Sequence, residues 1–134
     1  MAAALLHDIG IQEAERRHGS AAPKYQELEG PPIARRILEA LDFAELDIQA
    51  VCRIVGSHHS ARDAEGPEFD VVWDADGLVN LRDEAGGKSG DELRALIDRI
   101  FRTATGRAMA IERYARDQDE AAPPAAADTD AAQD

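Results

Sequence analysis

From Asp91 to Tyr114 the apolar side chains fall at Leu93, Leu96, Ile97, Ile100, Phe101, Ala104, Ala108 and Ile111. This three-and-four spacing gathers them on one stripe of a helix and is incompatible with a pleated strand. Ser89 or Asp91 can cap the start of that helix, Glu92 suits its first turn, and Gly106 is a weak point within it. The pattern recurs at Ile33, Ala34, Ile37, Leu38 and Leu41. Pro31-Pro32 stands before it, where a proline is expected because its missing N–H would have no intrahelical partner anyway. A third helix is predicted from Asp47 through Val51, Ile54 and Val55 to about His58, and a fourth over Phe69 to Leu81 after the polar loop Ser60 to Pro67. Ala2 to His7 reads as the end of a helix stopped by Gly10. Only Val71-Val72 hints at a strand, and the helical pattern around it absorbs it. The fold class is all-α, a compact helical bundle with short connections.

A length of 134 residues with 44% apolar content suits one domain and leaves little room for two. Half of the net charge of −12 lies between residues 117 and 134, where there are six acids and no Lys or Arg. That Ala, Pro and acid stretch has no large apolar residue to offset its ordering entropy, so it is expected to be a disordered acidic tail behind a domain spanning 1–116. The acidic balance argues against direct binding of nucleic-acid duplexes, which needs a Lys/Arg excess. No stretch approaches the roughly 20 apolar residues of a membrane span, and the short apolar opening lacks the basic flank of a secretion signal, so no membrane partner is expected and the chain is read as cytoplasmic. The single cysteine, Cys52, lies in an apolar run and is expected to be a small core residue.

Chemistry concentrates in four places. His7-Asp8 puts an imidazole beside a carboxylate near a helix end; neighbours on a helix diverge by about 100°, so both reach one ion only where a helix end is held over a cavity. Read alone, such a pair also fits an aspartate that fixes its histidine's tautomer. His58-His59 closes a helix, where a solvated pair would favour the dipole. Asp74 and Asp76 lie inside the most apolar stretch of the chain, Val71 to Leu81, where an ionised carboxylate needs a compensating charge. Both have apolar neighbours on a helical wheel, and periodicity does not choose between them. Gly19 to Pro32 reads as a polar loop carrying Lys24 and several carboxylates.

In that order, His7-Asp8-Ile9-Gly10, His58-His59 and Asp74-Ala75-Asp76-Gly77-Leu78 on a helical chain resemble the HD-domain metal-dependent phosphohydrolases, in the branch with an HDIG motif and an Asp-Ala-Asp-x-Leu signature. The similarity runs from about Ala2 to Leu81. It implies an HD-type bundle whose divalent metal is held by His7, Asp8 and Asp76, with His58 and His59 matching histidines that hold a second ion in binuclear members, joined by Glu29 where related enzymes often have another histidine. The family pattern also has a histidine on a helix upstream of the doublet, whereas here six residues precede His7 and none is histidine. Either the chain is shortened at its N-terminus or the ligand is lost; truncation is the reading taken, because a buried first helix is missing as well.

The implied reaction is hydrolysis of a phosphate ester, a nucleotide or another small phosphorylated substrate, by a metal-activated water. Asp8 would double as the base that orients the water, and Lys24 would neutralise a phosphate oxygen as a point charge. Mn²⁺, Fe²⁺, Co²⁺, Ni²⁺ and Mg²⁺ all suit N/O ligands without thiolate. Two alternatives stay open: a metal- or nucleotide-binding module without turnover, and a di-iron oxygenase.

Overall fold

The computed structural model describes residues 1–61 and 65–116; the predicted acidic tail, 117–134, lies outside the described residues. Among the described residues there are seven α-helices and no strand: α1 (Ala2–Leu6), α2 (Ile11–His18), α3 (Pro23–Ala40), α4 (Glu45–Val55), α5 (Pro67–Glu84), α6 (Gly90–Ile100) and α7 (Ala104–Ala110), the last running into a π-helical turn, Ile111–Ala115. The expected all-α bundle is the architecture found. No described helix is long and apolar enough to cross a membrane.

Two apolar clusters hold the bundle. Ala3, Ala34, Leu38, Ile48, Val51, Ile54, Val55, Phe69 and Val72 form one, drawn from α1, α3, α4 and the start of α5. Leu81, Leu93, Leu96, Ile97, Phe101, Ala110 and Ala115 form the other. α5 bridges them, with Phe69 and Val72 in the first and Leu81 in the second. A helix that feeds two cores on different sides is apolar on more than one face, and between Val71 and Leu81 the residues buried in those cores are Val72 and Leu81.

Three sequence expectations change. The segment Gly19 to Pro32 is mostly helix, because α3 begins at Pro23 and carries Pro31-Pro32 in its interior. Proline there costs about 3 kcal/mol or more, and tertiary contacts offset it: Gln26, Glu29 and Gly30 are buried along this half of the helix. α2 was not anticipated, since Ile11 and Ala14 make only a thin apolar stripe; it ends at Gly19, whose φ of 65° is the left-handed conformation that stops helices. The long helix expected from Asp91 to Tyr114 is broken at Phe101–Thr103, where the Phe101 and Thr103 backbones are extended.

The break is made by Asp74. Its Oδ1 accepts from the Arg102 backbone N–H (2.8 Å), and its Oδ2 accepts from the Thr103 N–H (2.9 Å) and hydroxyl (2.7 Å). Thr103 Oγ1 in turn accepts from Gly106 N–H and caps α7. Gly106 is therefore no defect, because a β-carbon there would collide with the Asp74 carboxylate. Of the two caps the sequence offered, Ser89 starts α6, and with Glu92 it forms a capping box: Ser89 Oγ accepts from the Glu92 N–H, and the Glu92 carboxylate accepts from the Ser89 N–H. Cys52 is half-buried against the first core, its thiol pushed up by burial and directed at the Pro31 carbonyl.

Candidate metal centre

The turn after α1 presents His7 and Asp8. Its tightness depends on Gly10, whose position is so close to α3 that a β-carbon would meet the Gln26 carbonyl oxygen and lie 2.8 Å from the Gly30 nitrogen. Only glycine allows this backbone approach. Gly30 is itself constrained, since a β-carbon there would lie 2.6 Å from a Val55 methyl. Two glycines thus draw the His7-Asp8 turn, α3 and the end of α4 together, and the end of α4 is where His58 and His59 follow.

The turn also answers how His7 and Asp8 converge. His7 Nδ1–H donates to the Ala4 carbonyl (2.9 Å), which leaves Nε2 as the free lone pair. That Nε2 lies 3.2 Å from Asp8 Oδ2 and 3.6 Å from Asp76 Oδ1. His58 is arranged in the same way. Its Nδ1–H donates to the Val55 carbonyl (2.8 Å), and its Nε2 lies 3.5 Å from Asp8 Oδ1. His58 is 4% exposed, and its Nε2 is a buried atom with no hydrogen-bond partner. Asp8, half-exposed, stands between the two imidazoles.

His59 is oriented differently. The Gln26 amide donates through Nε2 to the Ala21 carbonyl (2.6 Å), so its oxygen faces His59 and must accept from His59 Nε2–H (3.2 Å). His59 therefore keeps only Nδ1 as a lone pair. Burial, and then the adjacent His58, lower its pKa below the ordinary histidine value. Its backbone is fixed as well, because Glu27 Oε1 accepts from the N–H groups of His59 (3.0 Å) and Ser60 (2.7 Å). Burial by itself pushes the Glu27 carboxyl up, but these N–H groups outweigh it and hold the pKa below the usual carboxylate value.

The structure brings together His7, Asp8, His58, His59 and Asp76. Asp8, His58 and His59 can each offer a ligand atom within 4.8 Å of the others, and His7 Nε2 lies near both Asp8 and Asp76. The choice left open between the two aspartates of α5 is resolved by their surroundings: Asp74 is buried and saturated by Arg102 and Thr103, whereas Asp76 faces His7. Glu29 is held elsewhere. It accepts from His18 Nε2 (2.9 Å) and pairs with Arg17 (3.3 Å), fastening α2 to α3. Lys24 is exposed on the first turn of α3 with its ammonium 4.6 Å from the Tyr25 ring centre, and it does not line the cavity beside His7 and Asp76. Gln26 and Glu27 were missed from the sequence, since their contacts to His59 span more than thirty residues.

Chemically, the cluster is a set of imidazole nitrogen and carboxylate oxygen donors. Divalent first-row ions and Mg²⁺ bind such atoms at about 2.1 Å, which places neighbouring ligand atoms roughly 3.0–3.4 Å apart. The separations of 3.2, 3.5 and 3.6 Å across His7, Asp8, His58 and Asp76 are close to that. Carbonyl-bound Nδ1–H groups behind His7 and His58 are the usual means of aiming a ligating Nε2. No family model, curated protein or solved structure matches the chain, so what the site does has to be read from its residues.

Proposed function

We propose that the chain is an HD-type metal-dependent phosphohydrolase in which His7, Asp8, His58 and Asp76 hold a divalent cation. The observation that carries this reading is His58 Nε2, a buried nitrogen with no hydrogen-bond partner, aimed at Asp8. A buried polar atom left unpaired costs about 1–3 kcal/mol, and a cation at that point removes the cost while neutralising Asp8 and Asp76. Bound there, the cation supplies a Lewis acid that makes water a nucleophile near neutral pH.

The remaining tasks fall to the chain. His7 and His58, each tethered by Nδ1 to a carbonyl, keep Nε2 directed inward. Asp8 is exposed enough to receive solvent, and its carboxylate can accept the proton that water gives up as it attacks phosphorus. The ester P–O bond breaks as the new one forms, and the departing oxygen takes back the proton that Asp8 accepted and leaves as an alcohol. Lys24 has no part in this reading; the cation answers the charge of the phosphate. In a binuclear form of this reading a second ion would take His58 and His59 with Asp8, and the first would keep His7, Asp8 and Asp76.

The test is phosphate release from a panel of nucleotide and non-nucleotide monoesters by protein reconstituted with Mn²⁺, Co²⁺ or Fe²⁺. Turnover is expected in the wild type and a loss on the order of 10²-fold or more in His58→Ala and Asp76→Asn, since removing a ligand exceeds the effect of disturbing the group behind one. Stoichiometric metal without turnover on any substrate would replace the hydrolase with a metal-binding module.

A further inference from the structure

The site opens on one side into a groove of about 350 Å³ between α1 and α5. It is lined by Ala4, Val72, Ala75, Val79 and Asn80 together with His7, Asp8 and Asp76. Among the described residues no Lys or Arg lines it, and no aromatic ring other than the His7 imidazole. Val71, Ala75 and Val79 recur every four residues along α5 and are all exposed, Val79 to 71%, and Leu5 on α1 is exposed as well. Packing within the bundle gives these side chains nothing to cover.

We propose, resting on the metal-site reading above, that this groove takes the apolar organic group of a phosphate monoester, so that the substrate class is the monoester of a small uncharged alcohol and not a nucleoside polyphosphate. Charge decides between them. A diphosphate or triphosphate carries additional negative oxygens that would meet the carboxylates of Asp8 and Asp76 and, among the described residues, no cationic side chain in the groove. Arg16 and Arg17 are paired with Glu13 on α2, and Arg17 also with Glu29. A base would find no aromatic face on which to stack apart from His7. An aliphatic group, by contrast, would exchange water for the Val72, Ala75 and Val79 surface, and Asn80 can accept or donate one hydrogen bond to a hydroxyl.

The test uses alkylphosphonates, which cannot be hydrolysed, titrated calorimetrically into the full chain reconstituted with Mn²⁺. Affinity is expected to rise about two- to fourfold for each methylene from methyl- to butylphosphonate, as burial of CH₂ groups predicts. Val79→Lys should flatten the series, whereas Leu46→Lys, at an exposed site on α4, should leave it steep. Equal affinity along the series in the wild type, with metal retained, would overturn the groove assignment and leave the metal site standing. Absence of both Mn²⁺ and phosphonate binding would remove the metal-site reading and the groove with it. A wild-type dimer that Val79→Lys converts to monomer would show that a second copy covers this face, and would overturn the proposal.

Discussion

Asp74 and Asp76 are two residues apart on one helix, yet their substitutions should have opposite consequences. Asp74 accepts three hydrogen bonds from two backbone N–H groups and a hydroxyl, at 2.7–2.9 Å. Removing the acceptor strands three donors at a partly buried break between helices, at about 1–3 kcal/mol each. Asp74→Ala should therefore lose about 3–5 kcal/mol, close to the whole stability of a small domain, about 5–15 kcal/mol. Asp74→Asn keeps one oxygen and turns an NH₂ towards donors, for a loss of about 2–3 kcal/mol. Thr103→Val, which deletes the hydroxyl that both donates to Asp74 and caps α7, should lose about 1–2 kcal/mol. Combined with Asp74→Asn it should lose less than the sum, because the two act on one network. Asp76→Asn makes no such loss in the metal-free protein and should stay within about 1 kcal/mol of wild type. Urea unfolding in the presence of a chelator reads all five variants. The reasoning fails if Asp76→Asn destabilises as much as Asp74→Asn, or if Asp74→Asn shifts stability by less than about 0.5 kcal/mol.

Gly10→Ala should lower stability by about 2 kcal/mol or more, because its methyl group meets the Gln26 carbonyl and the Gly30 nitrogen, both backbone atoms; an unchanged thermal midpoint would show that the turn can move away from α3. Gly106→Ala should be comparably damaging, since its methyl collides with Asp74, and the same thermal scan measures it. The Glu27 carboxyl titrates below its ordinary value of 4.5 in the folded chain. Its contribution is thus fully present above about pH 4.5 and is lost as pH falls through the lower folded value. The stability difference between wild type and Glu27→Gln, measured without metal, should accordingly shrink on acidification through that window; a difference that stays constant or grows would contradict the assignment of the Ser60 and His59 N–H groups as its partners.

Much of the bundle was legible because it rests on local pattern. The stripe at Leu93, Leu96 and Ile97, the cap at Ser89, offered beside Asp91, and the stop near Gly10 are all encoded within a few residues. The errors fall where distant contacts override that pattern. Pro31-Pro32 reads as a helix start, and nothing nearby reveals that Gln26, Glu29 and Gly30 are buried and carry the helix back to Pro23. The stripe continues through Phe101 and Ala104 as if unbroken, but Asp74, almost thirty residues earlier, binds Arg102 and Thr103 and parts α6 from α7. In the site, the residue types and their order pointed to His7, Asp8, His58, His59 and Asp76, which the fold gathers. What helical periodicity could not convey is which aspartate of α5 faces them, and nothing local reveals that Glu29 is taken by His18 and Arg17 or that Gln26 fixes the tautomer of His59.

The most direct test of the account is metal content by mass spectrometry after incubation with Mn²⁺ or Co²⁺ and exhaustive dialysis, comparing wild type with His58→Ala, Asp76→Asn and Glu29→Gln. Near-stoichiometric metal in the wild type and in Glu29→Gln, with loss in His58→Ala and Asp76→Asn, is the result predicted. A wild type that takes up no ion, or variants of His58 and Asp76 that both retain it, would contradict a divalent cation held by His7, Asp8, His58 and Asp76.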